Sequence, residues 1–339
     1  MNMQGIVKYF SLLLISIIVA LIIAEGIFYL VPPLKEKYAA ELFITKFSPL
    51  QWLDNPNAYY KFRSSNLLGH ERIPNSAPNI NSYGLIGDEF SIKKPKNVFR
   101  ILVLGDSIAA QNYFIEFLKR KLNNLPTQTK FEIINAGIGS YQLWHYARFL
   151  KYKGIKFNPD MLLISFSLDD ARIDKCTCYK TEKGFQIYSI LTPEVLNKGL
   201  FNIFLFKHSY VYRVFIIALE RLLAGSDQYD SEQEAIDNLR MIKQICQNVK
   251  IPVFGFIWPA LIYFEHYTEW EKRQYYTLIN SLEYVGIDFL DLSEFLSEEE
   301  RGSLREWEHD YVHPSKKGHQ IAGEAIFKQL MENYSKFFK

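Results

Sequence analysis

From Arg100 onward the 339-residue chain alternates short, mainly apolar, β-rich runs with longer stretches whose apolar residues recur at helical spacing. The short runs are Ile101 to Leu104, Phe131 to Ile134, Met161 to Phe166, Val253 to Trp258 and Ile287 to Leu290. Helical spacing marks Tyr113 to Leu122, Leu143 to Lys151, Glu232 to Val249, Trp270 to Tyr284 and a last stretch, Lys316 to Phe337. The runs without a charge, such as Ile101 to Leu104 and Met161 to Phe166, suit strands buried on both faces. Strand following helix in this way predicts right-handed βαβ crossovers, and so a five-stranded parallel sheet inside a three-layer α/β/α domain. Ligands of such sheets bind beyond the carboxyl ends of the strands, which is where Ser107 follows the first run.

Three stretches fall outside this alternation. Tyr9 to Val31 is apolar apart from Glu25, with Lys8 before it and Lys35 and Lys37 after it. A run of that length can cross the hydrocarbon core as a helix, so residues 1–32 are read as an N-terminal membrane anchor, single-pass, with residues 9–31 as the membrane contact. A cleaved signal peptide is the rival, since Phe10 to Ala24 is about as long as the longest signal cores, but no clear small-x-small cleavage site follows. Basic residues on both sides leave topology unassigned by charge. Residues 33–98 show no sustained period and carry scattered Pro, Asn and aromatic residues, as an irregular approach segment would. Residues 99–339 form the α/β domain, and 171–230 is too long for a plain connection, so it reads as an insertion with its own apolar helix, Tyr210 to Leu223. That helix either covers the catalytic edge or packs on the sheet without meeting substrate.

A hydrophobic content of 48% supports a full core, and a formal net charge of +2 with no Lys/Arg block gives no reason to invoke nucleic acid. Cys176, Cys178 and Cys246 cannot all pair within one chain. Cys246 lies in a helical pattern, as a buried thiol would; a bridge from it to Cys176 or Cys178 and three free thiols both stay open.

Chemistry concentrates in two places. Gly105-Asp106-Ser107 closes the first apolar run, and Asp310-Tyr311-Val312-His313-Pro314 precedes Gly318-His319. Serine is a poor nucleophile until a histidine takes its proton, and the histidine works best when a carboxylate fixes its tautomer. The D-x-x-H spacing lets Asp310 fold back on His313, while Pro314 biases His313 toward extended backbone. His309, Asp310 and His313 could instead hold a zinc ion, a reading that needs a helix which Pro314 disfavours. Gly137-Ile138-Gly139 suits a dinucleotide loop poorly, because Gln142 stands at the third glycine position, and no G-x-S-x-G elbow surrounds Ser107. Trp144 and His145 could line a substrate site or face the core, and His319 suits a helix start better than a reacting group.

At these residues the chain resembles the SGNH, or GDSL, hydrolase superfamily, in particular its membrane-anchored bacterial branch, over roughly Asn81 to Leu330. The first block, a strand ending in Gly-Asp-Ser, matches Ile101 to Ser107, and the last, D-x-x-H-P then G-H, matches Asp310 to His319. Asn81 to Leu85 with Lys96 to Arg100, and His208 to Arg213, are similar to the anchored branch. The resemblance implies a flavodoxin-like α/β/α fold, an exported domain on the periplasmic or cell-surface side, and attack by Ser107 on an ester carbonyl with His313 as base and Asp310 as its orienter. It implies no metal or organic cofactor.

The middle blocks depart from that pattern. In the family a Gly amide and an Asn side chain complete an oxyanion hole with the Ser amide, because the charge of the tetrahedral intermediate must meet preplaced donors. The second block, Asn135 to Ser140, puts Ser140 at the Gly position, with Gly139 available after a one-residue shift. The third, Ser167-Leu168-Asp169-Asp170, puts Asp169 at the Asn position. An ionised carboxylate has no proton to donate and repels an oxyanion. A slow hydrolase, an enzyme with a rearranged hole, and a silent scaffold or glycan-binding module all follow as readings. The expectation taken forward is a membrane-anchored serine esterase for O-acyl, above all O-acetyl, esters, small or carried on a surface glycan; transfer of the acyl group to a glycan is the alternative within the enzyme class.

Overall fold

The computed structural model describes residues 3–32, 34, 62–65, 67–171, 177–180, 186–189, 204–206, 208–223, 231–308 and 310–338. The chain divides into two compact units. One comprises residues 1–55 with 176–229, and the other residues 56–175 with 230–339.

The second unit is built on a five-stranded parallel sheet with helices on both faces. Its strands are β3 (Val98–Gly105), β4 (Lys130–Asn135), β5 (Met161–Phe166), β8 (Val253–Ile257) and β9 (Asp288–Asp291), in the spatial order β4-β3-β5-β8-β9. The first strand of this sheet lies between the second and the third, so the chain reverses its direction of winding at β3 and leaves a crevice at that strand's carboxyl end. Each strand agrees with an apolar run of the sequence to within a few residues at either end. The agreement has a physical reason in the inner strands β3, β5 and β8, where every residue after the first is buried and the sequence is correspondingly apolar.

Alternate residues of β3 serve opposite layers. Phe99, Ile101 and Val103 join Met161, Leu163, Phe254 and Phe256 in one core with helices α3 (Tyr113–Asn123) and α8 (Lys316–Tyr334), through Phe114, Leu118, Ile326 and Leu330. Leu102 turns to the other face, against Phe149 and Leu150 of α4 (Leu143–Tyr152), on which α6 (Ser231–Val249) packs, followed by α7 (Glu269–Val285). Burying one such Leu or Phe contributes roughly 1.5–3 kcal/mol, so these layers rather than local propensity hold the helices. Arg100 is fully buried in the same strand, and its charge is met by Glu132 at 2.5 Å and by the carbonyls of Ser91 and Phe157.

The segment expected to be irregular contains a hairpin, β1 (Phe62–Ser65) with β2 (Gly69–Arg72), and an Asn-centred turn. The Asn81 side chain accepts from the N–H groups of Tyr83 and Leu85, and Ile86 then bridges to Asn135 at the end of β4. Neither strand of the hairpin alternates apolar with polar residues, so its pairing leaves no periodic trace.

The first unit holds α1 (Met3–Leu30), a short hairpin of β6 (Thr177–Lys180) and β7 (Gln186–Ser189), and α5 (Tyr210–Leu223), the helix expected within the insertion. Tyr9–Leu30 of α1 is long and apolar enough to cross a membrane. Cys246, in α6, is a buried free thiol, and burial pushes its pKa up to about 12. Cys176 lies outside the described residues.

Candidate active site

Strand β3 delivers its carboxyl end into α2 (Ser107–Ala110), and Asp106 caps that single turn by accepting the Ile108 N–H at 2.9 Å. The turn is tight enough to require glycine on both sides. A Cβ at Gly105 would lie 2.5 Å from the Ala109 Cβ, and one at Gly137 would lie 2.6 Å from the same atom. Asn135 clamps the arrangement: its Nδ2 donates to the Ala109 carbonyl and to Asn112 Oδ1, while its Oδ1 accepts from Gly137 N–H.

Ser107 begins α2, and the loop carrying His313 comes to it from the other end of the chain. That loop is pinned by Leu261 N–H to Tyr311 O at 2.7 Å, Glu306 N–H to His313 O at 2.9 Å and Ser315 N–H to Leu304 O at 2.6 Å. His313 Nε2 lies 2.8 Å from Ser107 Oγ and His313 Nδ1 lies 2.7 Å from Asp310 Oδ2. The other Asp310 oxygen accepts the Val312 and His313 N–H groups. Burial works against the Asp310 charge, but those two amides and the imidazole outweigh it and hold the carboxyl below its usual range. It is therefore ionised at neutral pH and fixes the proton on Nδ1, which leaves Nε2 as an acceptor toward Ser107. Beside this relay a cleft of about 600 Å³ is lined by Trp307, Glu308, Asp310, Tyr311 and Val312. His309, weighed above as a zinc ligand, lies outside the described residues.

His319 sits behind the relay. It is buried, its pKa is lowered to about 3 by burial and then by His313, and its Nε2 donates to Gln111 Oε1 at 2.9 Å. Gln111 in turn donates from Nε2 to the Pro314 carbonyl, so its side chain ties the end of α2 both to the His313 loop and to the neutral imidazole of α8.

Gly139 and Ser140 lie on the loop after β4, which Ile138 N–H fastens to Gly105 O at 3.0 Å. Ser140 has φ 64°, a left-handed backbone that glycine adopts at least cost. Buried His70, which the sequence reading did not single out, donates from Nε2 to the Gly139 carbonyl at 2.9 Å. Burial lowers its pKa to about 4, so the ring is neutral, and Tyr141 donates its hydroxyl to the His70 carbonyl at 2.7 Å. The peptide unit whose carbonyl His70 holds is the one that carries the Ser140 N–H. Because that unit is planar and trans, its N–H must point away from His70. His145 stacks on Tyr141 from within the core and accepts the Gln142 N–H on Nδ1, which answers the alternative for that residue: it faces the core.

Asp169 stands at the end of β5, with Ser167 Oγ 2.9 Å from its Oδ1. Its carboxylate and those of Asp106 and Asp170 lie within 4.8 Å of one another. Asp170 is buried, bound by Tyr146 OH and Ser167 N–H, and is held well above the usual carboxylate range by burial and then by Asp106. Asp106 is pushed up to about 6 by burial and then by Asp169. Asp106 and Asp170 thus keep protons at pH values where isolated carboxyls have lost theirs.

No protein-family model matches the chain and no curated protein matches it. Among solved structures, an acetyl xylan esterase shares 15% identity and a TM-score of 0.43 over 68% of this chain and 100% of its own. An acetylxylan esterase from Geobacillus stearothermophilus shares 13% identity at a TM-score of 0.44, over 68% of this chain and 94% of its own. An α/β hydrolase from the metagenome of Lake Arreo, Spain, shares 11% identity, with the same TM-score and the same coverage.

Proposed function

We propose that the chain is a serine hydrolase of O-acyl esters, with Ser107 as nucleophile, His313 as general base and Asp310 as the group that orients it. The observation that carries this reading is the continuous hydrogen-bonded relay from Ser107 Oγ through both nitrogens of His313 to Asp310. In the acylation step Oγ bonds to the acyl carbon as its proton passes to His313 Nε2. The carbonyl oxygen takes the negative charge, and collapse of the intermediate expels the alcohol, which recovers that proton. Water repeats the sequence on the acyl-enzyme and releases the carboxylic acid.

The oxyanion is assigned to the N–H groups of Ser107 and Ser140, which make no hydrogen bond among the described residues. His70 supports the second of these by holding its peptide unit through the Gly139 carbonyl. Asp169 is the third candidate for that hole and opposes the charge when ionised. The acidic cluster around it favours a second reading, a silent module that has kept the relay's geometry without turnover. An acetyl group on a surface glycan, with the anchor of residues 9–31 holding the enzyme on the outer side of a membrane, is the substrate setting we assign from the motif resemblance. Hydrolysis of 4-nitrophenyl acetate by the detergent-solubilised protein tests the reading: the wild type should turn over, and Ser107→Ala should fall to the background rate. Equal turnover by the two would place the chemistry elsewhere.

A further inference from the structure

The anchor helix carries one acidic or basic residue along its apolar span, Glu25, and that residue is bonded. Glu25 Oε1 accepts the Tyr210 N–H at 2.7 Å, and Oε2 accepts the Val211 N–H at 3.0 Å and the Ser209 hydroxyl at 2.9 Å. Ser209 Oγ also accepts the Tyr212 N–H at 3.1 Å. The first orphan donors of α5 are therefore met by a carboxylate on another helix, where the positive end of the helix dipole also favours it. Rings close the contact: Phe28 stacks on Tyr210 with centroids 6.1 Å apart, and Tyr29 meets the same ring edge-on at 6.5 Å. Arg213 is buried one turn further on, its guanidinium 4.6 Å from the Tyr210 ring centre.

Depth follows from position along α1. Tyr9–Leu30 has 22 residues, which at about 1.5 Å each matches a hydrocarbon core of about 30 Å. Glu25 lies five residues before its end, about 7–8 Å beneath that boundary. Whatever bonds to Glu25 has to reach that depth. Helix α5 is suited to it: Phe215 is 57% exposed and Phe204, just ahead of the helix, 58% exposed, while the stretch from Tyr210 to Leu223 carries Arg213, Glu220 and Arg221 as its only charges. Exposed aromatic rings continuous with a lipid-facing helix belong at the membrane interface.

We infer that α5 is a second membrane-contacting element, seated in the bilayer interface and latched to the anchor by the Glu25 carboxylate across its N-terminus. The lipid bilayer is the partner of its exposed face. An intramembrane carboxylate without a partner is costly, and the three donors of Ser209, Tyr210 and Val211 account for its presence in an otherwise apolar run. The inference is independent of the hydrolase reading, and it requires α1 to remain attached.

The test uses the full chain in phosphatidylcholine vesicles, with Cys176, Cys178 and Cys246 replaced by serine. A nitroxide at Phe215→Cys should be relaxed several-fold more by oxygen than by a water-soluble nickel chelate, the reverse of the order at exposed Tyr284→Cys. The same order at both sites would overturn the interfacial seat. For the latch, cysteines at Phe28 and Tyr210 joined by a short bis-maleimide should cross-link efficiently with Glu25 or Glu25→Gln, which keeps an acceptor. Glu25→Leu should lower the yield roughly tenfold or more, as expected when charge-assisted hydrogen bonds are lost. Undiminished cross-linking in Glu25→Leu would overturn the latch, as would a mature N-terminus at or beyond Glu25. Should Glu25→Leu fail to fold, Glu25→Ala takes its place in the cross-linking with the same two outcomes, and the depth measurement stands on its own.

Discussion

Replacing Asp169 by Asn removes one charge from a cluster of three carboxylates and puts a donor where a carboxylate stands. Oxygens of Asp106, Asp169 and Asp170 lie within 4.8 Å of one another. Two unit charges about 5 Å apart repel by about 3 kcal/mol at an effective dielectric of 20. The raised pKa of Asp170 relieves part of that repulsion, and at pH 5 the proton on Asp106 relieves more, so Asp169→Asn should stabilise the fold by on the order of 1–2 kcal/mol at pH 8 and by less at pH 5. For catalysis the gain is larger, since one oxyanion donor is worth about 3–4 kcal/mol. Ser167 Oγ holds the side chain by one oxygen, so we expect only part of that, a rise in kcat/KM for 4-nitrophenyl acetate of about tenfold or more. Ester hydrolysis and urea unfolding at both pH values measure the two effects. A variant that unfolds like the wild type at pH 8 and loses activity as Ser107→Ala does would refute the reasoning, because the carboxylate would then be working for the reaction.

Two further expectations come from the same region. His70→Ala should lower kcat with little change in KM, since it frees the peptide unit bearing the Ser140 N–H, and His70→Gln, which keeps a donor toward Gly139 O, should recover part of the loss; equal loss in both would assign His70 a purely structural role. Asp106 has a folded pKa of about 6 against an ordinary value of 3.8, so its stabilising proton is fully bound below the ordinary value and is lost as pH rises through 6. That is a loss of roughly 2 kcal/mol between pH 4 and 7. Asp106→Asn keeps the cap of α2 and should unfold with a shallower pH dependence over that window; parallel curves would remove the cluster's electrostatics from the account.

What could be read from the sequence followed from local physics. Short apolar runs marked all five strands of the sheet, helical periodicity marked the helix Tyr210–Leu223, and two motifs far apart in the chain named the residues that the fold brings to 2.8 and 2.7 Å. What could not be read depends on pairings far apart in the chain. The polar hairpin of Phe62–Ser65 and Gly69–Arg72 has no alternation of its own, yet it carries His70 to the Gly139 carbonyl 69 residues away. Glu25 was legible as an odd charge in an apolar run, but its partners lie more than 180 residues downstream. The left-handed backbone of Ser140, φ 64°, leaves no mark in the sequence, because the residue there is a serine and not a glycine. The mutual proximity of Asp106, Asp169 and Asp170 requires the end of β3 to lie beside that of β5, a matter of sheet order alone.

Covalent trapping at the nucleophile tests the central claim most directly. A fluorophosphonate, which bonds only to an activated serine, should label the wild-type protein on the peptide containing Ser107, as read by mass spectrometry. Labelling should disappear in Ser107→Ala and drop steeply in His313→Ala, because without the imidazole the hydroxyl keeps its proton. Wild-type protein that is folded and stays unlabelled at Ser107, or that is labelled there equally with and without His313, would contradict the hydrolase assignment and leave the silent module in its place.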